Sequence, residues 1–94
     1  MSIPIDPIGY LLKEEFLKCF EISTSEFAEL CGISHDEILS IVYNQKSITV
    51  DNAIRFSKVF GNSWQFWIGL ENDYQYRKLI KDNKNIYDQI KPIK

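Results

Sequence analysis

Between Ser23 and Thr49 the chain reads STSEFAELCGISHDEILSIVYNQKSIT, an order of caps, apolar spacings and one glycine that leaves little freedom in how it folds. Thr24 is placed to cap a helix that carries Phe27, Ala28 and Cys31 on one face. Gly32 stands just past that face, where a left-handed residue ends a helix. Ile33 alone separates it from Ser34, and Ser34-x-x-Glu37 is a capping box, so a second helix begins at once. Its apolar positions, Ile38, Ile41 and Val42, recur at i, i+3 and i+4. Two short helices joined by a glycine turn, here residues 23–43, are the signature of a helix-turn-helix.

If the second helix buries Ile38, Ile41 and Val42, then His35, Asp36, Leu39, Ser40 and Tyr43 face outward. In a DNA-binding helix-turn-helix this face enters the major groove and its first residues meet base edges. Those five are therefore candidate DNA contacts. Lys46, in the loop that follows, is the best candidate for a phosphate contact. Thr24 and Ser34 add hydroxyl and backbone N–H groups at two helix starts. Leu39 suits a thymine methyl or a half-buried site equally. His35 suits a phosphate, a base edge or plain exposure. The same hairpin also occurs in small helical cores that bind no nucleic acid.

The flanking sequence extends the pattern. After a proline-containing start (MSIPIDP), a helix from Ile8 or Gly9 to Phe20 is expected, with Ile8, Leu11, Leu12, Phe16, Cys19 and Phe20 as its apolar stripe. Glu14 and Glu15 diverge by about 100° on such a helix and read as a solvated face, not as paired acids. Asn44 suits a positive φ. Thr49 caps a fourth helix with Ala53, Ile54, Phe56, Ser57 and Phe60 inward and Gly61 at its end. Ser63 caps a fifth, expected from Trp64 to about Ile80, with Phe66, Trp67, Leu70 and Tyr74 on its apolar side. Trp67, Leu70 and Tyr74 share one stripe, read as core ahead of a dimer surface. Trp64 and Ile68 lie off it and, with Tyr74, are the candidate dimer or partner surface. The expectation is an all-α, five-helix domain over residues 1–80 and a charged, partly ordered C-terminal tail over 81–94, in which Pro92 stops any helix.

Other classes fall away. Ninety-four residues with 13 aromatics fill one compact core without a deep pocket besides. No apolar run approaches the ~20 residues that span a bilayer, and the N-terminus has no basic-then-apolar secretory pattern, so a cytoplasmic protein is expected. Cys19 and Cys31 sit at core spacing and read as reduced, buried thiols. A single histidine and the lack of a CxxC argue against a metal, and no cofactor is implied. No nucleophile–base pair or phosphate loop suggests an enzyme. The net charge of −2 hides an asymmetry: residues 1–76 hold 5 Lys and Arg against 11 Asp and Glu, residues 77–94 hold 6 against 2. A body with a net of −6 weighs against DNA affinity, and the tail with a net of +4 is a solvated face or a contact for phosphates or an acidic partner.

These pieces together resemble the lambda-repressor-like helix-turn-helix fold, and more narrowly the HigA/VapI-type antitoxins of bacterial toxin–antitoxin modules. The resemblance rests on Gly9 followed by Glu14-Glu15-Phe16-Leu17, on Ile48-Thr49 with Ala53 and Arg55, and on Phe60-Gly61, Ser63, Trp67, Leu70 and Tyr74. It covers roughly residues 6–76. It implies a non-enzymatic antitoxin that neutralises a HigB-like mRNA-cleaving toxin by binding it, and that represses its own operon as a homodimer on palindromic double-stranded DNA. The chain departs from the family pattern in three places. Tyr43-Asn44-Gln45-Lys46 stands where the family loop reads Asn-Gly-Lys-Arg, which removes one basic residue. His35, Asp36 and Glu37 stand where Arg, Gln or Thr are common. Gly69 and Glu71 replace Asn and Gln near Trp67.

Overall fold

The computed structural model describes residues 7–93. It is built from five helices: α1 (Ile8–Leu11), continuing directly as a π-helical stretch (Leu12–Leu17), then α2 (Thr24–Cys31), α3 (His35–Val42), α4 (Val50–Phe60) and α5 (Trp64–Asp88). The all-α, five-helix expectation holds. Of the proline-containing start, residues 1–6 lie outside the described residues.

The helix ends follow the local chemistry. Ser34 Oγ accepts the Glu37 N–H at 3.2 Å and Ser63 Oγ the Phe66 N–H at 3.1 Å. Thr49 and Asn52 form a reciprocal capping box at the start of α4. Gly32 and Gly61 close α2 and α4 at φ 70° and 77°, and Asn44 takes φ 62° after α3. One cap moves: α2 is capped by Ser23, which accepts from Glu26 N at 3.0 Å, and Thr24 is its first helical residue.

The first helix departs most from its expected stripe. Between Leu12 and Leu17 the turns widen, with Lys18 N–H donating to Lys13 O at 3.2 Å and Ile22 N–H to Leu17 O at 3.0 Å, both five residues back. That spacing carries Leu12 and Leu17 into the core together. Phe16 is left half-buried, and Cys19 and Phe20 turn outward, so Cys19 is not the buried thiol expected of it. Glu21, at φ 57°, then reverses the chain into α2.

α1 packs on α3 and α5, α2 on α3 and α4, and α4 on α5. Phe27, Ile38, Ile41, Ala53, Phe56 and Trp67 are fully buried where they meet. The Trp67 ring lies 4.7 Å from Phe16, 5.4 Å from Phe56 and 5.5 Å from Phe60, and its Nε1–H donates to Asn62 Oδ1 at 2.8 Å. Two expected inner residues face out instead: Ile54 is 42% exposed and Phe66 also 42%. Asn52 and Glu71 are buried in their place on α4 and α5. α5 also runs beyond Ile80, bending at Asn83 (φ −127°, ψ 25°) and ending at Asp88.

Candidate nucleic-acid interface

Successive residues of α3 are rotated by about 100°, so His35, Leu39, Tyr43, Asp36 and Ser40 fan over roughly 140° of one face while Ile38, Ile41 and Val42 anchor the other. His35, Asp36 and Tyr43 are exposed, whereas Leu39 and Ser40 are half-buried. Gly32 and the Ser34 cap fix the angle at which this face leaves α2.

Several of these side chains already have partners within the chain. Thr24 Oγ1 lies 2.9 Å from His35 Nε2, which joins the first residues of α2 and α3. Ser40 Oγ donates back to Asp36 O at 3.0 Å. Lys46 is not a free cation in the loop: its Nζ is 3.3 Å from Glu37 Oε2 and donates to Asn52 Oδ1 at 3.4 Å. Glu37 is not the second arm of the α3 capping box. Its carboxylate accepts from Asn52 Nδ2 at 2.9 Å and pairs with Lys46. The Asn52 hydrogen bond is the largest influence on the Glu37 carboxyl and, with the hydrogen bond and charge of Lys46, holds it below its ordinary value against burial, the second-largest influence, and the charge of Asp51.

The recognition face therefore offers a mixed set of groups. His35 and Tyr43 carry donors, the Ser40 hydroxyl, whose proton goes to Asp36 O, is left as an acceptor, the Asp36 carboxylate can accept from a cytosine amino group, and Leu39 presents the apolar edge that suits a thymine methyl. Among the described residues no cluster of side chains could hold a metal ion.

Residues outside the candidate DNA-contacting set support the face from behind. Asn52 joins α4 to α3. Arg55 Nη1 donates to Cys31 O at 3.0 Å and Gly32 O at 3.2 Å, while Nε pairs with Asp51 at 2.8 Å. The arginine of the fourth-helix motif thus caps the carbonyls of the helix-turn-helix turn itself. Glu71 Oε1 accepts the Ile48 N–H at 2.9 Å, and its other oxygen accepts from Gln75 at 3.1 Å. Of the candidate partner surface, Trp64 is 41% exposed, Ile68 is half-buried against the core, and Tyr74 is half-buried beside the loop after α3.

No protein-family model matches the chain. It is 32% identical to virulence-associated protein I of Dichelobacter nodosus over 78 residues, 83% of this chain and 72% of that protein. Among solved structures it superposes on the Pseudomonas aeruginosa antitoxin HigA with the higBA promoter at a TM-score of 0.86 and 35% identity, covering 98% of this chain and all of that one. It also superposes on a second P. aeruginosa structure, a protein in complex with its operator DNA, at a TM-score of 0.89 and 32% identity with the same coverage.

Proposed function

The chain belongs to the HigA family of helix-turn-helix antitoxins, and from that premise we propose that it binds the operator of its own toxin–antitoxin operon as a homodimer, represses it, and neutralises a HigB-like mRNA-cleaving toxin by direct binding. The observation that carries this reading is the outward face of α3, five side chains at a fixed angle on a scaffold that superposes along its whole length on an antitoxin with its promoter. Its work is binding, not catalysis, and it acts in the cytoplasm where the operon and the toxin's mRNA targets are.

Thr24, Ser34, His35, Asp36, Leu39, Ser40, Tyr43 and Lys46 are the DNA-contacting set under this reading, with His35, Asp36 and Tyr43 best placed to reach base edges. Trp64, Ile68 and Tyr74 serve the dimer or the toxin. Fluorescence anisotropy of labelled duplex from the gene's upstream region, across a salt series and against a scrambled duplex, tests the first half. Specific binding that weakens steeply with salt is expected. Coexpression with the product of the adjacent gene tests the second: copurification and relief of its toxicity are expected, and failure of both removes the antitoxin role.

The net charge of −6 over residues 1–76, with Asp36 exposed at the start of α3, favours one alternative, a scaffold kept for its protein partner with little DNA affinity. Absence of binding to either duplex would select it.

A further inference from the structure

The acidic body leaves open which cations meet the DNA backbone, and the course of α5 answers it. α4 starts against the first turn of α3, at Asn52, and α5 comes back to the loop after α3. On the way back Glu71 reaches the Ile48 N–H at 2.9 Å and Gln75 the Ser47 hydroxyl at 3.1 Å. One turn later Lys78 lines a polar cleft of about 130 Å³ whose opposite wall is the loop after α3, from Asn44 to Ser47. Glu71 lies at the floor of this cleft with both oxygens already accepting hydrogen bonds. Ten more residues of α5 follow, through Asp88, and the four before the bend at Asn83 carry the helix about 6 Å beyond Lys78 at 1.5 Å per residue.

Residues 77–94 hold 6 Lys and Arg against 2 Asp, and Arg77, Lys78, Lys81 and Lys84 among them lie on α5. Several cations near the interface are already paired. Arg77 lies 3.1 Å from Asp73, Lys84 lies 2.7 Å from Asp88, and Lys46 is held by Glu37. Lys78 and Lys81 lie one helical turn apart, both exposed, and among the described residues neither has an ion-pair partner. A phosphate oxygen that approaches the loop after α3 meets them without any internal pair having to break, whereas Lys46 must first leave Glu37.

We propose that Lys78 and Lys81 of α5 form a phosphate-binding element that grips the DNA backbone beside the groove entered by α3, ahead of Lys46. The inference rests on the DNA-binding reading above. It explains how a domain with an acidic body holds a polyanion: the charge that matters is gathered on one helix extension at the recognition side.

The test is anisotropy of the full chain on its upstream duplex between 50 and 200 mM salt. Lys78→Gln/Lys81→Gln removes four phosphate contacts from a homodimer on its operator and should flatten the slope of log K against log salt by about 3.6, so that wild type loses roughly 150-fold more affinity than the variant over that fourfold rise. Each single variant should give about half the change in slope. Lys46→Gln should change it less than either. Lys58→Gln, an exposed charge in the last turn of α4, is the control and should change nothing. An unchanged slope in the double variant, or an equal flattening by Lys58→Gln, overturns the proposal while leaving the DNA-binding function intact. Wild-type protein that fails to bind at all removes the function first, and this element with it.

Discussion

The Asn52 side-chain amide donates to the Glu37 carboxylate at 2.9 Å, so the first turn of α4 holds the first turn of the recognition helix. Asn52 is 1% exposed, and its carbonyl oxygen accepts from both the Thr49 N–H at 3.0 Å and Lys46 at 3.4 Å. One buried amide therefore satisfies a helix cap, an ion pair and an interhelix contact together. Asn52→Ala should destabilise the fold by about 2–3 kcal/mol, since it removes three hydrogen bonds and leaves the Thr49 N–H unpaired. Urea unfolding measures it, and a loss below about 0.5 kcal/mol, the range of ordinary surface changes, would show that the contact is idle.

The same contact sets a pH dependence. A carboxyl held below its ordinary value contributes stability that is present above the unfolded-state value, about 4.5 for glutamate, and is lost as pH falls through the lower folded value. Urea midpoints taken from pH 7 down to pH 3 should therefore drop more steeply for wild type than for Glu37→Gln, with the two curves closest at the acid end. Parallel curves would mean that Glu37 feels no net stabilisation from Asn52 and Lys46.

The two cysteines should separate cleanly. Cys19 is exposed, whereas Cys31 is buried at the end of α2, where burial pushes its thiol up to about 11 against a weaker opposing pull from Arg55. At pH 8 roughly a thousandth of Cys31 would be thiolate, the form that reacts. Labelling of the native protein with a thiol reagent should modify one site quickly, mapped to Cys19 by peptide mass, and the second only in denaturant. Two equal native rates would contradict the burial of Cys31.

What could be read from the sequence was what is decided within one turn of chain. Ser34, Thr49 and Ser63 cap helices, and Gly32, Gly61 and Asn44 take positive φ, because each signal concerns neighbours three or four residues away. The outward face of α3 followed from the same local periodicity. The misses depend on distant partners. Glu37 binds Asn52, 15 residues on, and Glu71 binds Ile48, 23 residues back. A buried carboxylate or amide gives no sign in a hydropathy pattern that its partner awaits elsewhere. The π-helical stretch was hidden for a related reason: Phe16 fits a 3.6-residue stripe as well as Leu17 does, and the wider turn lets both reach the core, Leu17 buried and Phe16 half-buried with its ring 5.1 Å from Phe60 and 4.7 Å from Trp67. Adjacent hydroxyls at Ser23 and Thr24 put the expected α2 cap one residue late, at Thr24 instead of Ser23.

Gly9 gives the sharpest test of how the recognition helix is held. Gly9 lies within a helix, where alanine is ordinarily the more stable residue by about 1 kcal/mol. Here a Cβ would come within 2.6 Å of the Val42 carbonyl oxygen and of Asn44 Oδ1, and would press on the Ile41 carbonyl as well. Two of these atoms are backbone at the last turn of α3 and cannot rotate aside. Relief requires α1 to lift off the end of the recognition helix or that last turn to open. Gly9→Ala should therefore reverse the usual sign and destabilise by about 1–3 kcal/mol, a fall of several degrees in Tm for a domain of this size. It should also weaken operator binding at temperatures where the variant is still folded, because the end of α3 carrying Tyr43 would no longer be fixed. A rise in Tm would show that the two helices do not approach this closely. A fall in Tm with unchanged operator affinity would show that α1 stabilises the domain without positioning the recognition face.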